Sequence, residues 1–316
     1  MKNKKILITG GTGFIGSWLI EKWYKNNQIT LFDNGRRNAF QFLPLDIQKE
    51  IRVIRGDIQD IDAVKRIVKE KEIIIHLAAI AGASFYEKEP LLTLSVNMFG
   101  TANLLKCLLN ETPEKVIIFS SSEVYGEKAE DVSEDDATCI GTVGGGRWSY
   151  AVSKLAGDHL AFAYFKKNNL PITIVRPFNI YGPRQVGESA ISSMLTNVLK
   201  KGEIFVTGDG SQKRAWCYVS DLVQAVEDIC KVKLDGECFN IGNPQAYLTI
   251  LQLAEKIKKL NPGSKIIFID AKKTEIIVRK PIIKKAKERI KFFPSVSIDE
   301  GLELTFNWWI KNISKF

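Results

Sequence analysis

Thr9-Gly10-Gly11-Thr12-Gly13-Phe14-Ile15-Gly16-Ser17 decides how the rest of the chain is read. The run before it, Ile6-Leu7-Ile8-Thr9, has the apolar, β-branched pattern of a buried strand, and an amphipathic helical pattern follows Gly16. Glycines between a strand and a helix permit a tight turn and let a diphosphate approach the backbone. The helix start offers free amides and the positive end of its dipole to that anion. Asp33 closes the next apolar run about twenty residues on, where an acid can take the hydroxyls of a ribose. Gly10, Gly13, Gly16 and Asp33 therefore predict a dinucleotide site, and the acid favours NAD because a carboxylate repels a 2′-phosphate. Arg36 and Arg37 leave a second reading open, a loop that accepts such a phosphate or one that is simply solvated. Gly56-Asp57-Ile58 ends a third run, with Asp57 either bracketing the adenine or serving as an ordinary turn aspartate.

The alternation continues beyond this loop. Residues 6–9, 29–33, 52–56, 73–76, 116–120 and 172–176 read as strands, and residues 17–26, 61–70, 91–110 and 148–168 as helices. Continuous apolar strands separated by helices predict an α/β fold, a Rossmann-type doubly wound parallel sheet covered on both faces. After Arg176-Pro177 the rhythm breaks, with Pro183, Gly187, Gly202, Gly208 and Gly210 punctuating irregular segments. A dinucleotide domain over residues 1–178 and a smaller C-terminal α/β domain over residues 179–316 are expected, with segment 216–240 returning to the first.

The composition narrows the class. With 316 residues and 45% hydrophobic content the chain can bury a large core. Forty-five basic against 36 acidic residues leave a charge of +9, which suits anionic partners without specifying nucleic acid. Much of the excess comes late, at Lys256, Lys258, Lys259, Lys265, Lys272, Lys273, Lys280, Lys284, Lys285, Lys287 and Lys291, and reads as solvated helix faces. Five scattered cysteines without a Cys-x-x-Cys pair suggest a reduced intracellular protein. Only His76 and His159 could add imidazole, far from any cysteine in sequence, so no metal site is expected. The basic start lacks a signal peptide's apolar core, and no run reads as membrane-spanning, so a cytoplasmic protein without a membrane partner is expected.

Arg147-Trp148-Ser149-Tyr150-Ala151-Val152-Ser153-Lys154 carries a different signal. A tyrosine and a lysine four apart share a helix face, and an ammonium beside a phenol favours the phenolate. Tyr150 could then act as a base well below its free value of about 10. A packed ring beside a snorkelling lysine gives the same spacing. Arg147, three before Tyr150, shares that face too. It could grip a carboxylate bidentately or pair with a surface acid.

Taken in order, the glycine loop, Gly56-Asp57-Ile58, His76-Leu77-Ala78-Ala79, Asn97, Ser120-Ser121-Ser122-Glu123-Val124-Tyr125-Gly126, Tyr150 to Lys154 and Arg176-Pro177-Phe178-Asn179-Ile180-Tyr181-Gly182-Pro183-Arg184 span most of the chain. They resemble the extended short-chain dehydrogenase/reductase family, in particular its nucleotide-sugar epimerases, dehydratases and decarboxylases. The resemblance implies NAD as cofactor, held also by Phe14, Ile15, Asn34, Asp57, Ile58, Leu77, Ala78, Ala79 and Asn97. It implies a UDP-sugar whose 4-hydroxyl bonds Ser121 and loses its proton to Tyr150 while hydride passes from C4. Lys154 would hold the nicotinamide ribose and lower the tyrosine's pKa. It also implies a C2 homodimer through helices 91–110 and 148–168, and a nucleotide-sugar site in residues 179–316.

Ser122, Glu123, Arg147 and Arg279 point to the reaction. Family members that work at C5 carry Glu at the position of Glu123, although such a residue can also only cap a loop. The surroundings of Arg147 look like those in UDP-glucuronate-using members, and Arg279-Lys280-Pro281 resembles the decarboxylases' substrate-side arginine, with Ile282 departing from the usual polar residue. Arg214 is the expected diphosphate clamp, Asn179 a substrate amide partner and Arg184 a second carboxylate contact. The leading expectation is oxidation of UDP-glucuronate at C4 with decarboxylation at C5. A UDP-sugar 4-epimerase comes next and a 4,6-dehydratase third. NAD-sensing or nucleic-acid-binding members typically lack the Tyr/Lys pair, so no nucleic-acid partner is expected.

Overall fold

The computed structural model describes residues 1–270 and 276–316, so Lys272 and Lys273 lie outside the described residues. The strands are β1 (Lys5–Thr9), β2 (Gln28–Asp33), β3 (Arg52–Arg55), β4 (Ile73–His76), β5 (Lys115–Phe119), β6 (Lys128–Val132), β7 (Ile172–Pro177) and β8 (Ile180–Tyr181). They continue with β9 (Glu203–Thr207), β10 (Lys213–Ala215), β11 (Cys217–Tyr218), β12 (Glu237–Ile241), β13 (Tyr247–Thr249), β14 (Lys265–Ile269) and β15 (Val278–Pro281). Seven form one sheet in the order β12-β7-β5-β4-β1-β2-β3, every pairing parallel. This is the doubly wound sheet expected from the sequence.

Side-chain alternation explains how both faces close. Ile6 and Ile8 of β1, Ile73 and Ile75 of β4 and Ile117 and Phe119 of β5 enter one core, while Leu7, Ile74, Val116 and Ile118 enter the other. A strand apolar at every position is the natural result of helices on both sides. The first core includes Leu19 and Ile20 of helix Phe14–Trp23 and Val226 and Ile229 of helix Val219–Lys231; the second takes Leu104 and Leu105 of Gly100–Cys107 and Ala161 of Gly146–Asn168.

The two halves interleave. Segment 216–240 supplies helix Val219–Lys231 and β12, the sheet's edge strand beside β7. In the other direction β6, early in the chain, joins β15, β10 and β13 in a second sheet built otherwise from later residues. The strand pattern of the sequence misses β6 because Lys-Ala-Glu-Asp-Val is mostly polar and buries only Ala129 fully. Later helices carry local signals of their own. Ser189 and Ser192 form a capping box on Ala190–Lys201, which ends at the left-handed Gly202, and Thr249 with Gln252 forms another on Ile250–Leu260.

One expectation needs correction. Pro90–Asn110 is long and apolar enough to cross a membrane, although half of its most apolar window is buried within the protein. Its inward face is held by polar contacts to the sheet. Thr101 Oγ1 lies 3.0 Å from His76 Nε2, and at Gly100 any Cβ would strike Ile58. A π turn at Ser95–Phe99 interrupts the helix and carries the buried Asn97.

Candidate active site

From β1 the chain moves outward through β2 and β3, then returns to β4 on the opposite side. A crevice opens where strand order reverses. Gly10, at φ +68°, makes the close approach possible, because a Cβ there would sit 2.6 Å from the Ala78 nitrogen. Beneath it, His76 bridges Thr9 Oγ1 at 2.7 Å and Thr101, and burial pushes its pKa down to about 3, so it is a neutral connector.

A cavity of about 530 Å³ occupies the crevice. Every residue expected to touch the cofactor lines it except Asn97. The helix at Phe14 starts at Gly13 with no side-chain cap, so its first amides face the cavity without an intrahelical partner. Asp33 closes β2 at the rim, where its carboxylate accepts from Thr12 N at 3.0 Å and Gly35 N at 2.7 Å. Anion-binding amides beside a ribose-binding acid fit a dinucleotide. Asn97 acts at one remove. Its amide accepts from Ile80 N at 2.7 Å and donates to Ile80 O at 3.1 Å and Ser153 Oγ at 3.0 Å, which fixes the wall after β4. Arg36 and Arg37 both reach across the cleft. Arg37 Nη2 donates to Ala81 O at 2.6 Å, and the Arg36 guanidinium lies 3.3 Å from the Phe85 ring centroid.

Tyr150 and Lys154 stand at the inner end of this cavity. The Ser121 hydroxyl lies near enough to the Tyr150 phenol to favour its ionised form, and it accepts from Glu123 N at 3.2 Å. Ser122 is buried in the turn Ser122–Tyr125 that follows. Lys154 Nζ donates to Phe119 O at 2.7 Å and lies 6.0 Å from the Tyr150 ring centroid. The expected lowering of the tyrosine's pKa is not met in the protein alone. Burial pushes Tyr150 up to about 12 despite the Ser121 hydroxyl, and burial pushes Lys154 down to about 8. Sequence reading passed over Tyr86, whose ring stacks on Tyr150 at 5.3 Å and 17°. No spacing rule connects residues 64 apart on separate helices.

Glu123, Arg147 and Arg279 converge from a turn, a helix start and a strand. Arg147 grips Glu123 bidentately, Nε to Oε2 at 3.2 Å and Nη2 to Oε1 at 2.9 Å, while Arg279 Nη1 reaches Oε1 at 2.6 Å. Arg279 also donates from Nη2 to Gly126 O at 2.5 Å. Burial pushes Glu123 upward, but the two guanidiniums more than offset it and hold the carboxyl below its usual range. Two guanidiniums share one carboxylate in direct contact here, with Glu87 acting on Arg147 from farther away. Among the described residues the Arg279 Nε has no hydrogen-bond partner, although the side chain is only 2% exposed.

The remaining expected substrate contacts lie elsewhere or are engaged. Arg184 is buried, with Nη2 2.5 Å from Glu21 Oε2 and its guanidinium 4.6 Å from the Trp18 ring centroid. Arg184 thus has an acidic and an aromatic partner within the protein, while its Nε has no hydrogen-bond partner among the described residues. Asn179 Nδ2 donates to Ala215 O at 3.1 Å. Arg214 stands in register with Arg279 on the neighbouring strand and donates to Ile276 O at 2.6 Å and Ile277 O at 3.3 Å. Behind Lys154, Asp158 pairs with Arg176 at 3.0 Å, and Arg176 Nη1 donates to the Tyr125 hydroxyl at 2.7 Å, which donates to Asn240 Oδ1 at 2.9 Å.

Comparison with known proteins gives this arrangement relatives. Residues 6–242 match the NAD dependent epimerase/dehydratase family. A UDP-N-acetyl-alpha-D-glucosaminuronate decarboxylase from Bacillus cytotoxicus is 36% identical over 97% of this chain and 98% of its own. UDP-glucuronic acid decarboxylase 3 of Arabidopsis thaliana is 33% identical over 96% of this chain and 88% of its own. Among solved structures, UDP-glucuronic acid 4-epimerase from Bacillus cereus, in complex with UDP-glucuronic acid and NAD, superposes with a TM-score of 0.88. It is 29% identical, over 98% of this chain and 99% of that one.

Proposed function

The chain belongs to the NAD dependent epimerase/dehydratase family, and on that premise we propose that it decarboxylates a UDP-linked uronate. The observation that carries the reading is the pair of arginines, Arg147 and Arg279, meeting on one carboxylate near Ser121 and Tyr150, with Arg279 Nε unmatched among the described residues. A neutral sugar would leave that surplus charge without use.

The amides of Gly13 to Gly16 and Asp33 would hold NAD, which when bound would supply the acceptor for a hydride from the sugar's C4 and its donor at the end, chemistry that no side chain supplies. Ser121 holds the 4-hydroxyl, and Tyr150 accepts its proton. Lys154 presents its ammonium to that end of the cavity. Its charge opposes the burial that keeps the phenol protonated. With a ketone at C4 the substrate is a β-keto acid. Its C5–carboxylate bond breaks, carbon dioxide leaves, and the electron pair passes into the C4 carbonyl, where the Tyr150 phenol returns its proton to the oxygen. A proton then joins C5 as the ketone re-forms. Glu123 has two parts in this. Before substrate arrives it holds both guanidiniums in place, and once a second carboxylate sits beside it their repulsion eases when carbon dioxide departs.

The substrate-side assembly has a second feature. Leu91 and Phe99 on Pro90–Asn110, with Val152 and Phe162 on Gly146–Asn168, are exposed apolar side chains on two adjacent helices. We propose that this face forms a two-fold dimer.

The deciding experiment incubates the protein and NAD separately with UDP-glucuronate and UDP-N-acetylglucosaminuronate and weighs the products. Loss of carbon dioxide from either supports the proposal and identifies the sugar. Unchanged mass with an inverted C4, the outcome for a 4-epimerase, would overturn it, as would loss of water.

A further inference from the structure

Two glycines on different loops form a slot through which Arg37 passes. Gly82, at φ +111°, begins helix Ala83–Lys88, and Gly187, at φ +109°, lies between β8 and helix Ala190–Lys201. A Cβ on Gly82 would meet Arg37 Nη2 at 2.6 Å, and one on Gly187 would meet Arg37 Cζ and Nε at 2.9 Å. Both backbones sit in a region that disfavours side chains, so the slot admits the guanidinium because glycine alone suits both positions. The two loops are also tied to each other. Glu188 accepts from Ser84 N at 3.1 Å and from the Ser84 hydroxyl.

Arg37 thus bridges three parts of the cleft. Its carbonyl accepts from Thr12 Oγ1 of the glycine loop at 3.2 Å, its side chain lines the dinucleotide cavity, and its guanidinium ends on Ala81 O. Burial and the neighbouring Arg36 both lower its pKa, with Glu188 opposing them. A partly desolvated cation with a like charge beside it is stabilised by an added anion. A 2′-phosphate does not suit this position, since Asp33 occupies the ribose end of the cavity. The anion that lies along the glycine loop is the cofactor's diphosphate.

We propose that Arg37, threaded between Gly82 and Gly187, clamps the diphosphate of bound NAD and that the Ser84–Glu188 tie keeps this clamp closed. The clamp holds the dinucleotide between turnovers, which a reaction that restores its cofactor each cycle can use. The inference rests on the dinucleotide reading of the cavity and is independent of which sugar is consumed.

The test is equilibrium binding by calorimetry, with ADP-ribose and adenosine as probes beside NAD, on protein stripped of retained nucleotide. Arg37→Ala should weaken NAD and ADP-ribose by roughly tenfold or more, the loss of a charge-assisted hydrogen bond, and leave adenosine nearly unchanged. Arg37→Gln fills the slot and can still donate to Ala81 O, so it decides the matter if the alanine variant does not fold. The expected result for it is the same selective loss, with faster release of NAD. Unaltered ADP-ribose affinity in either folded variant would overturn the clamp. So would equal loss on adenosine, or a loss of UDP affinity in place of NAD affinity, which would assign Arg37 to the substrate.

Discussion

Two buried carboxylate–arginine clusters lie on either side of the Tyr150–Lys154 pair, and they differ in how many arginines meet one carboxylate. Behind Lys154, Asp158 pairs with the single arginine Arg176, the network runs on to Tyr125 and Asn240, and Asp158 Oδ1 has no partner among the described residues. In front, Glu123 faces both Arg147 and Arg279, and Arg279 Nε has no partner among the described residues. One arginine per carboxylate makes an ion pair complete in itself. On the function proposed above, the second arginine at Glu123 is the one that an incoming carboxylate would use.

The largest expected effect tests that difference on the front cluster. Arg279→Met leaves Glu123 and Arg147 as a matched pair, so urea denaturation should move by no more than about 1 kcal/mol. Turnover of a UDP-uronate should nevertheless fall on the order of a hundredfold or more in kcat/KM. A large stability loss with activity retained would make the front cluster structural after all.

The parallel change in the rear cluster should behave in the opposite way. Arg176→Met removes the ion-pair partner of Asp158, 5% exposed, and leaves it only the more distant Lys154, at a cost of about 3–5 kcal/mol in unfolding. The folded fraction should keep kcat within roughly tenfold, because Arg176 faces the core. Comparable denaturation midpoints for Arg176→Met and Arg279→Met would dissolve the contrast.

The smallest effect concerns the coupling between the clusters through Lys154. Burial depresses its pKa to about 8, and Asp158 opposes that shift. A depressed lysine is charged below that value and neutral above it. The kcat/KM profile should therefore fall as pH rises through about 8, and Asp158→Asn should move the fall to lower pH. A profile that is unchanged in Asp158→Asn would separate Lys154 from the rear cluster.

How much of this was legible in sequence depends on distance along the chain. The glycine loop, Asp33 and the apolar strands are local patterns, and each fixes its own geometry within a few residues. Tyr150 and Lys154 needed only the helical repeat. Arg147 and Glu123 were readable one at a time, but their mutual grip was not, because 24 residues separate them and Arg279 arrives 132 residues after Arg147. Arg184 shows the same limit. Its residue type and neighbourhood suggested a carboxylate contact, and only packing revealed Glu21 and Trp18 beside it. Strand β6 escaped for a related reason, since a mostly polar strand is recognised by its partner and not by its own composition.

The sequence by itself determined the doubly wound sheet, the glycine loop after its first strand and the placement of Tyr150 and Lys154 on one helix face, because strand alternation, helical spacing and glycine's backbone freedom act over one or two turns of chain. Tertiary structure alone decided the charge balance at the site. Two guanidiniums around Glu123, the tyrosine held at about 12, and Arg37 in its slot all follow from which distant side chains share a buried volume. Electrostatic energy depends on separation in space and on the water excluded between charges, and neither is written in the order of residues.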